Sequence, residues 1–197
     1  FHPIYNTYSK ITDKASALKS LKLKEGKYIL FFGLIRKYKG LDLAIRAMSN
    51  KLIVEKNIKL IIAGEFYDSE ERYQDLIRDL SLKNIIIYNQ FIENKQVPDF
   101  FSVSNLVILP YTSATQSGVT QLAMYYNKPM LVTNVGGLPE IIDHKKDGYI
   151  SSTNPEEMSE YILDYFSEDK IEKEMSSAIS KKQDSYSWDN FVKKIIK

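Results

Sequence analysis

Short, continuous apolar runs alternate along this chain with segments whose apolar residues recur at helical spacing. The runs are KYILFFGLI (27–35), IKLIIAGE (58–65), NIIIYN (84–89), NLVILPY (105–111), KPMLVTN (128–134) and the shorter GYIS (148–151). None of them alternates apolar with polar positions. Unbroken apolarity marks strands buried on both faces, as in a parallel sheet covered by helices. Between the runs, Leu41, Ala44, Ile45, Met48 and Leu52 fall on one helical face, and so do Met158, Tyr161, Ile162, Tyr165 and Phe166. Repeated strand–helix–strand units predict an α/β fold, a doubly wound, Rossmann-like parallel sheet of about six strands. The last forty residues carry no strand signal and are expected to be helices packed outside the sheet.

No Pro- or Ser-rich linker, internal repeat or low-complexity tract divides the chain. Residues 1–20 read as a leading, linker-like segment and 21–197 as a single domain. The opening FHPIYNTYSK lacks an initiator Met and the basic-then-apolar order of a signal peptide, so the chain reads as a fragment of something longer. The longest apolar run, Tyr28 to Ile35, is eight residues, against the roughly 20 that a membrane span needs. The charges nearly cancel, 27 Lys and Arg against 25 Asp and Glu for a net +2. That balance gives no electrostatic footprint for nucleic acid or for a membrane surface. Absence of cysteine excludes a disulfide framework, a Cys-ligated metal and a thiol nucleophile.

Six of the eight glycines, Gly33, Gly40, Gly64, Gly118, Gly136 and Gly137, fall at or just past strand C-termini or where a helix opens. Ligands of open α/β sheets bind outside those carboxyl ends. Glycine also punctuates ordinary strand-to-helix turns, but six on one edge point to a binding rim. In GLIRKYKGLD (33–42), Arg36, Lys37 and Lys39 precede a helix opening at Gly40; cations and a helix N-terminus together suit a phosphate. The stretch is neither a Walker loop nor a GxGxxG turn, and its bland alternative is a solvated basic loop. In ATQSGVTQLAM, Ser117 is a candidate helix cap, and Gly118 lets first-turn amides approach a ligand. The alternative there is a well-capped structural helix. NVGGLPE (134–140) repeats the design: a Gly136-Gly137 turn, Pro139 in a first helical turn, and Glu140 favoured by the helix dipole. His2 and His144 sit in a linker and a polar turn. Tyr111, Tyr125 and Tyr126 suit either a base-stacking surface or the core.

Taken in order, G-(x)6-G-L-D, IIAGE, NQFIENKQVPDFFSVSNLVILPY, SGVTQLAM, KPMLVTNVGGLPEII and DGYI resemble the nucleotide-sugar-binding C-terminal half of retaining GT-B glycosyltransferases. The likeness is to glycosyltransferase family 4, the group 1 glycosyl transferases, and covers roughly residues 27–166; SGVTQL is also similar to the matching loop of glycogen and starch synthases. The resemblance implies metal-independent transfer, without a cofactor, of a hexose-type sugar from a nucleoside-diphosphate-sugar donor to a glycan or lipid-linked acceptor. It assigns catalytic roles to Arg36 and Lys39. Donor contacts fall on Gly33, Ser117, Gly118, Val119, Gln121, Gly136, Gly137 and Glu140. Lys39 matches the family lysine directly. The family arginine just after the first-loop glycine is Leu34 here, which leaves Arg36 as candidate substitute. The family's two glutamates, separated by seven residues, fall on Thr115 and Ala123, or with another anchor on Ala114 and Leu122. Neither pair is acidic, and Gln121 is a candidate for part of the lost hydrogen bonding.

An N-terminal acceptor-binding domain is implied as the missing partner, so the isolated chain is expected to bind donor weakly and transfer little. The full-length enzyme is expected in the cytoplasm or peripherally at the inner membrane face. Trp188, Phe191, Val192, Ile195 and Ile196 share a helical face in SYSWDNFVKKIIK, similar to the family's final helix and equally a terminal core helix. Three other readings stay open: half of a sugar-nucleotide epimerase, a dehydrogenase-type nucleotide domain, which the missing GxGxxG disfavours, and a catalytically silent nucleotide-sugar-binding or assembly module.

Overall fold

A computed structural model of the chain describes residues 10–183. Six strands, β1 (Lys27–Phe32), β2 (Ile58–Ala63), β3 (Ile85–Tyr88), β4 (Leu106–Leu109), β5 (Met130–Thr133) and β6 (Gly148–Ser151), form one sheet in the order β3-β2-β1-β4-β5-β6. All neighbours are parallel, with Ile29 opposite Leu106 at the central pair. Strand order reverses between β1 and β4, and such a switch point opens a crevice at the carboxyl ends of the two strands. This is the expected Rossmann-like, doubly wound sheet.

Eight helices complete the described fold: α1 (Lys14–Ser20), α2 (Leu41–Ala47), α3 (Lys51–Glu55), α4 (Glu71–Asp79), α5 (Val97–Val103), α6 (Gly118–Tyr125), α7 (Pro155–Tyr165) and α8 (Asp169–Gln183). Four begin at side-chain caps, since Asp13, Asn50, Ser117 and Asn154 each accept from an amide of the first turn. The sheet is apolar on both faces because successive strand residues point to opposite sides. Tyr28 and Leu30 enter the core formed with α1, α5 and α6. Ile29 and Phe31 enter the other, formed with α2, α3, α4 and α7. Helix α8 adds Ile179 to the first core and Met175 to the second.

Local chemistry explains where the structure departs from the sequence pattern. β1 stops at Phe32, short of Ile35, because Gly33 turns out of the extended region at φ 91°. β4 stops before Pro110, which has no N–H for the ladder. Leu52 does not share the face of α2. That helix ends at Ala47, and the Asn50 side chain then accepts from the Leu52 amide and starts α3 in a new phase. Ile53 is buried in consequence and Leu52 is 51% exposed. Within the leading segment, α1 buries Ala17 and Leu18 in the core, so this part of the linker-like stretch is packed into the fold. Trp188, Phe191, Val192, Ile195 and Ile196 lie outside the described residues.

Candidate functional site

The cleft at the switch point is built from the loops after β1 and β4. After Gly33 the chain runs beside the loop following β2. Ile35 forms a bridge with Phe66, the Ile35 amide donates to the Glu65 carbonyl at 2.8 Å, and the Tyr67 amide returns a bond to Ile35 at 3.0 Å. One 3₁₀ turn, Lys37–Lys39, then leads through Gly40 into α2. The β4 loop is tied on by the Thr112 amide, 2.8 Å from the Tyr38 carbonyl, and by the rings of Tyr38 and Tyr111, edge to face at 5.8 Å. Lys39 and Ser117 thereby face one cavity of about 330 Å³, lined also by Gly33, Tyr111, Gln116, Gly118 and Val119, with Phe32 and Leu122 as apolar walls.

Lys39 is the unusual charge. It is 8% exposed, and no carboxylate lies within ion-pair distance of its ammonium among the described residues. Its Nζ stands 5.7 Å from the centroid of the Tyr111 ring. Burial, and secondarily the Arg36 charge, pull its pKa down to about 8. A buried ammonium without a counterion is costly, and a perturbed titratable group in a cleft marks a candidate functional site. Among the described residues no acidic side chain lines this cavity, so its field favours an anion.

Opposite Lys39, the start of α6 supplies donors. Ser117 is extended, as an N-cap should be, and its Oγ accepts from the Val119 amide at 3.2 Å. The Val119 amide is therefore engaged by the cap. Gly118 holds the first helical position, whose N–H the helix itself cannot satisfy. The Tyr111 hydroxyl lies 3.2 Å from the same Ser117 Oγ. Burial pushes the Tyr111 phenol up to about 12, so it keeps its proton across the working pH range.

Other candidates stand apart. Arg36 is exposed and outside the cavity lining, with its guanidinium 4.1 Å from the Tyr67 ring centroid. Gln121 is buried on α6, its Oε1 lacks a partner among the described residues, and it does not line the cavity. The Gly136-Gly137 turn meets the chain's own backbone where a ligand was expected. A Cβ on Gly136, at φ 51°, would sit 1.5 Å from the Ala114 carbonyl oxygen. The Gly137 amide donates to the Thr115 carbonyl at 3.1 Å, so this turn buttresses the loop leading into α6. Gly40 and Gly64 likewise lie close against the carbonyls of Pro110 and Gly33, where an added Cβ would clash. Glu140 is exposed in a 3₁₀ turn, Pro139–Ile141, so the α-helix whose dipole it was expected to complement is not there.

Of the two carboxylate slots, Ala123 is fully buried in the core, and Thr115 has its carbonyl bound by Gly137. Gln116, Tyr38 and Phe32 line the cavity without having been singled out by sequence. For Gln116 the signal was available, as the polar neighbour of the cap residue. His144 is occupied locally, its Nδ1 accepting from the Ile150 amide at 2.9 Å. A larger cavity of about 610 Å³ lies between α8 and the Asp143–Asp147 turn. Its Lys182 and Asp147 are paired at 2.8 Å, so those two charges answer each other. Among the described residues, no group of three His, Asp or Glu is placed to hold a metal ion, and no helix is long and apolar enough to cross a membrane.

Comparison with known proteins agrees with this architecture. Residues 13–182 match the family model described as glycosyl transferases group 1. An uncharacterized glycosyltransferase of Methanocaldococcus jannaschii is 29% identical over 184 residues, covering 86% of this chain and 44% of that protein. The chain thus spans about half the length of the curated relatives it matches. The C-terminal domain of a glycosyl transferase group 1 family protein (LpcC) from Francisella tularensis superposes with a TM-score of 0.79 at 17% identity, covering 92% of this chain and 96% of that one. HepE of Anabaena, solved in complex with UDP and glucose, gives a TM-score of 0.75 at 17% identity, covering 93% of this chain and 52% of that one.

Proposed function

Because this chain belongs to the group 1 glycosyl transferases, we propose that it is the donor-binding half of a retaining enzyme of polysaccharide biosynthesis. That enzyme takes a hexose-type sugar from a nucleoside diphosphate and passes it to a glycan or lipid-linked acceptor. The observation that carries the reading is the buried Lys39 ammonium, without a carboxylate partner among the described residues, facing the α6 N-terminus across a cavity that no described acidic residue lines. A fold relative solved with UDP and glucose is consistent with the same ligand class.

Departure of the nucleotide builds negative charge on the phosphate oxygens. Donors fixed beforehand in a low-dielectric cleft stabilise that charge most in the transition state, because they need not reorganise as it forms. Lys39 supplies the full charge, Gly118 the orphan amide and Ser117 a hydroxyl. Arg36 adds positive potential from the rim, and Gly33 leaves the floor beside Lys39 open. Val119 acts through its bond to the Ser117 cap; Gly136 and Gly137 act by holding the loop before α6. Gln121 and Glu140 remain donor-side candidates on the periphery. The acceptor belongs to a separate N-terminal domain, residues 21–197 with the α1 helix being the donor domain. The chemistry uses no metal and no cofactor, in a cytoplasmic enzyme that meets lipid-linked acceptors at the inner membrane face.

Calorimetry with UDP, GDP, ADP and the three nucleosides tests this. Lys39→Ala should weaken binding of the preferred nucleoside diphosphate by roughly a hundredfold and leave the nucleoside unaffected. Equal losses for both ligands would remove the phosphate role.

A further inference from the structure

We infer that Tyr111 is a positioning residue: its hydroxyl donates to Ser117 Oγ and so turns the Ser117 proton outward into the cleft, making that serine a donor to an anionic ligand. The inference rests on the reading that a diphosphate sits between Lys39 and Ser117.

Proton accounting gives the direction. The two hydroxyls are 3.2 Å apart, and either could be the donor on distance alone. Ser117 Oγ already accepts from the Val119 amide. Were Ser117 to donate to Tyr111, the phenolic proton would need another acceptor. Tyr111 is buried at 3% exposure, and Ser117 Oγ is the one hydrogen-bond partner of its hydroxyl among the described residues. A buried O–H without a partner keeps its full desolvation penalty. With Tyr111 as donor, its own proton and the Val119 amide proton are both matched at Ser117 Oγ, and the remaining Ser117 proton leaves from a half-buried residue on the cavity wall. A hydroxyl that accepts two hydrogen bonds is polarised and donates more strongly.

The residue is well anchored for this task. Its carbonyl accepts from Thr133 Oγ1 at 2.6 Å. Its ring contacts Tyr38 edge to face and lies 5.7 Å beneath the Lys39 ammonium. One side chain therefore touches both halves of the cleft, the cation and the cap.

The test titrates the chain with inorganic pyrophosphate and follows amide chemical shifts around Gly118. Tyr111→Phe keeps the ring and deletes the donor; Ser117→Ala deletes the relay. Each should weaken pyrophosphate binding by about threefold to tenfold, and the double variant should be no weaker than Ser117→Ala alone. In the unaltered chain the ¹³Cζ resonance of Tyr111 should also move as pyrophosphate binds, a readout that needs no variant to fold. Wild-type affinity in Tyr111→Phe, or a double variant as weak as the product of the two singles, overturns the inference. Lys39→Ala is the separate control. If it binds pyrophosphate as tightly as the unaltered chain, the underlying phosphate reading fails. If it alone loses binding, that reading stands and the Tyr111 relay falls.

Discussion

The ammonium of Lys39 lies 5.7 Å from the centroid of the Tyr111 ring, with no carboxylate partner among the described residues, and is 8% exposed. The ring offers a cation–π contact that offsets part of the desolvation. It does not replace a counterion, and the depressed pKa is the result.

Stability should therefore respond to pH through Lys39. The folded chain releases this proton near pH 8, whereas an unperturbed lysine releases it near 10.5. Below pH 8 both states are protonated and the folded state carries the whole desolvation cost. Between those values the unfolded state binds more protons, so this group's contribution to stability rises with pH. Lys39→Met should stabilise the ligand-free chain at pH 7 by roughly 1–3 kcal/mol. Urea denaturation at pH 7 and pH 10 should show that advantage shrinking. Lys128, also buried and drawn down to about 8, titrates in the same window, so the difference between the two proteins is the quantity to read.

Ligand affinity should run the other way. A diphosphate needs the cationic form of Lys39, and a terminal phosphate, whose last proton leaves near pH 6, is about nine-tenths ionised by pH 7. Above pH 8 the dissociation constant for the preferred nucleoside diphosphate should rise, approaching about tenfold per pH unit. Calorimetry from pH 7 to 10 measures this, and in Lys39→Ala the slope should vanish.

Arg36 and Lys39 should separate. The arginine is stacked on Tyr67 outside the cavity, and its charge lowers the Lys39 pKa. Arg36→Ala should raise that pKa, seen in the side-chain ¹⁵N resonance of Lys39. It should cost about tenfold or less in diphosphate binding, against roughly a hundredfold for Lys39→Ala.

Gly136→Ala should act at a distance from the ligand. The position has φ 51°, and the added methyl would overlap the Ala114 carbonyl. We expect a loss of at least ~2 kcal/mol in denaturant unfolding, since left-handed strain and a backbone clash combine. Weaker diphosphate binding should accompany it, because this turn supports the approach to α6.

The sheet was legible because its strands are unbroken apolar runs, and β6 falls on the same residues, Gly148–Ser151, that the pattern marked. That the loops after β1 and β4 meet was legible too, since Lys39, Ser117 and Gly118, marked in the sequence as a cation and a capped helix start, line one cavity. What the sequence hid depends on tertiary approach. The spacing of GLIRKYKGLD does not show that the 3₁₀ turn buries Lys39 and leaves Arg36 and Lys37 in solvent. The glycine pair at 136–137 looks like a ligand turn until the neighbouring loop is seen pressed against it. Asn50 restarts a helix through one side-chain bond, a local event that apolar spacing alone does not register.

A crystal structure of the chain with its preferred nucleoside diphosphate tests the central claim most directly. The account predicts a phosphate oxygen within about 3 Å of Lys39 Nζ and another at that distance from the Gly118 amide. A nucleotide bound elsewhere, with Lys39 still unpartnered, would contradict it.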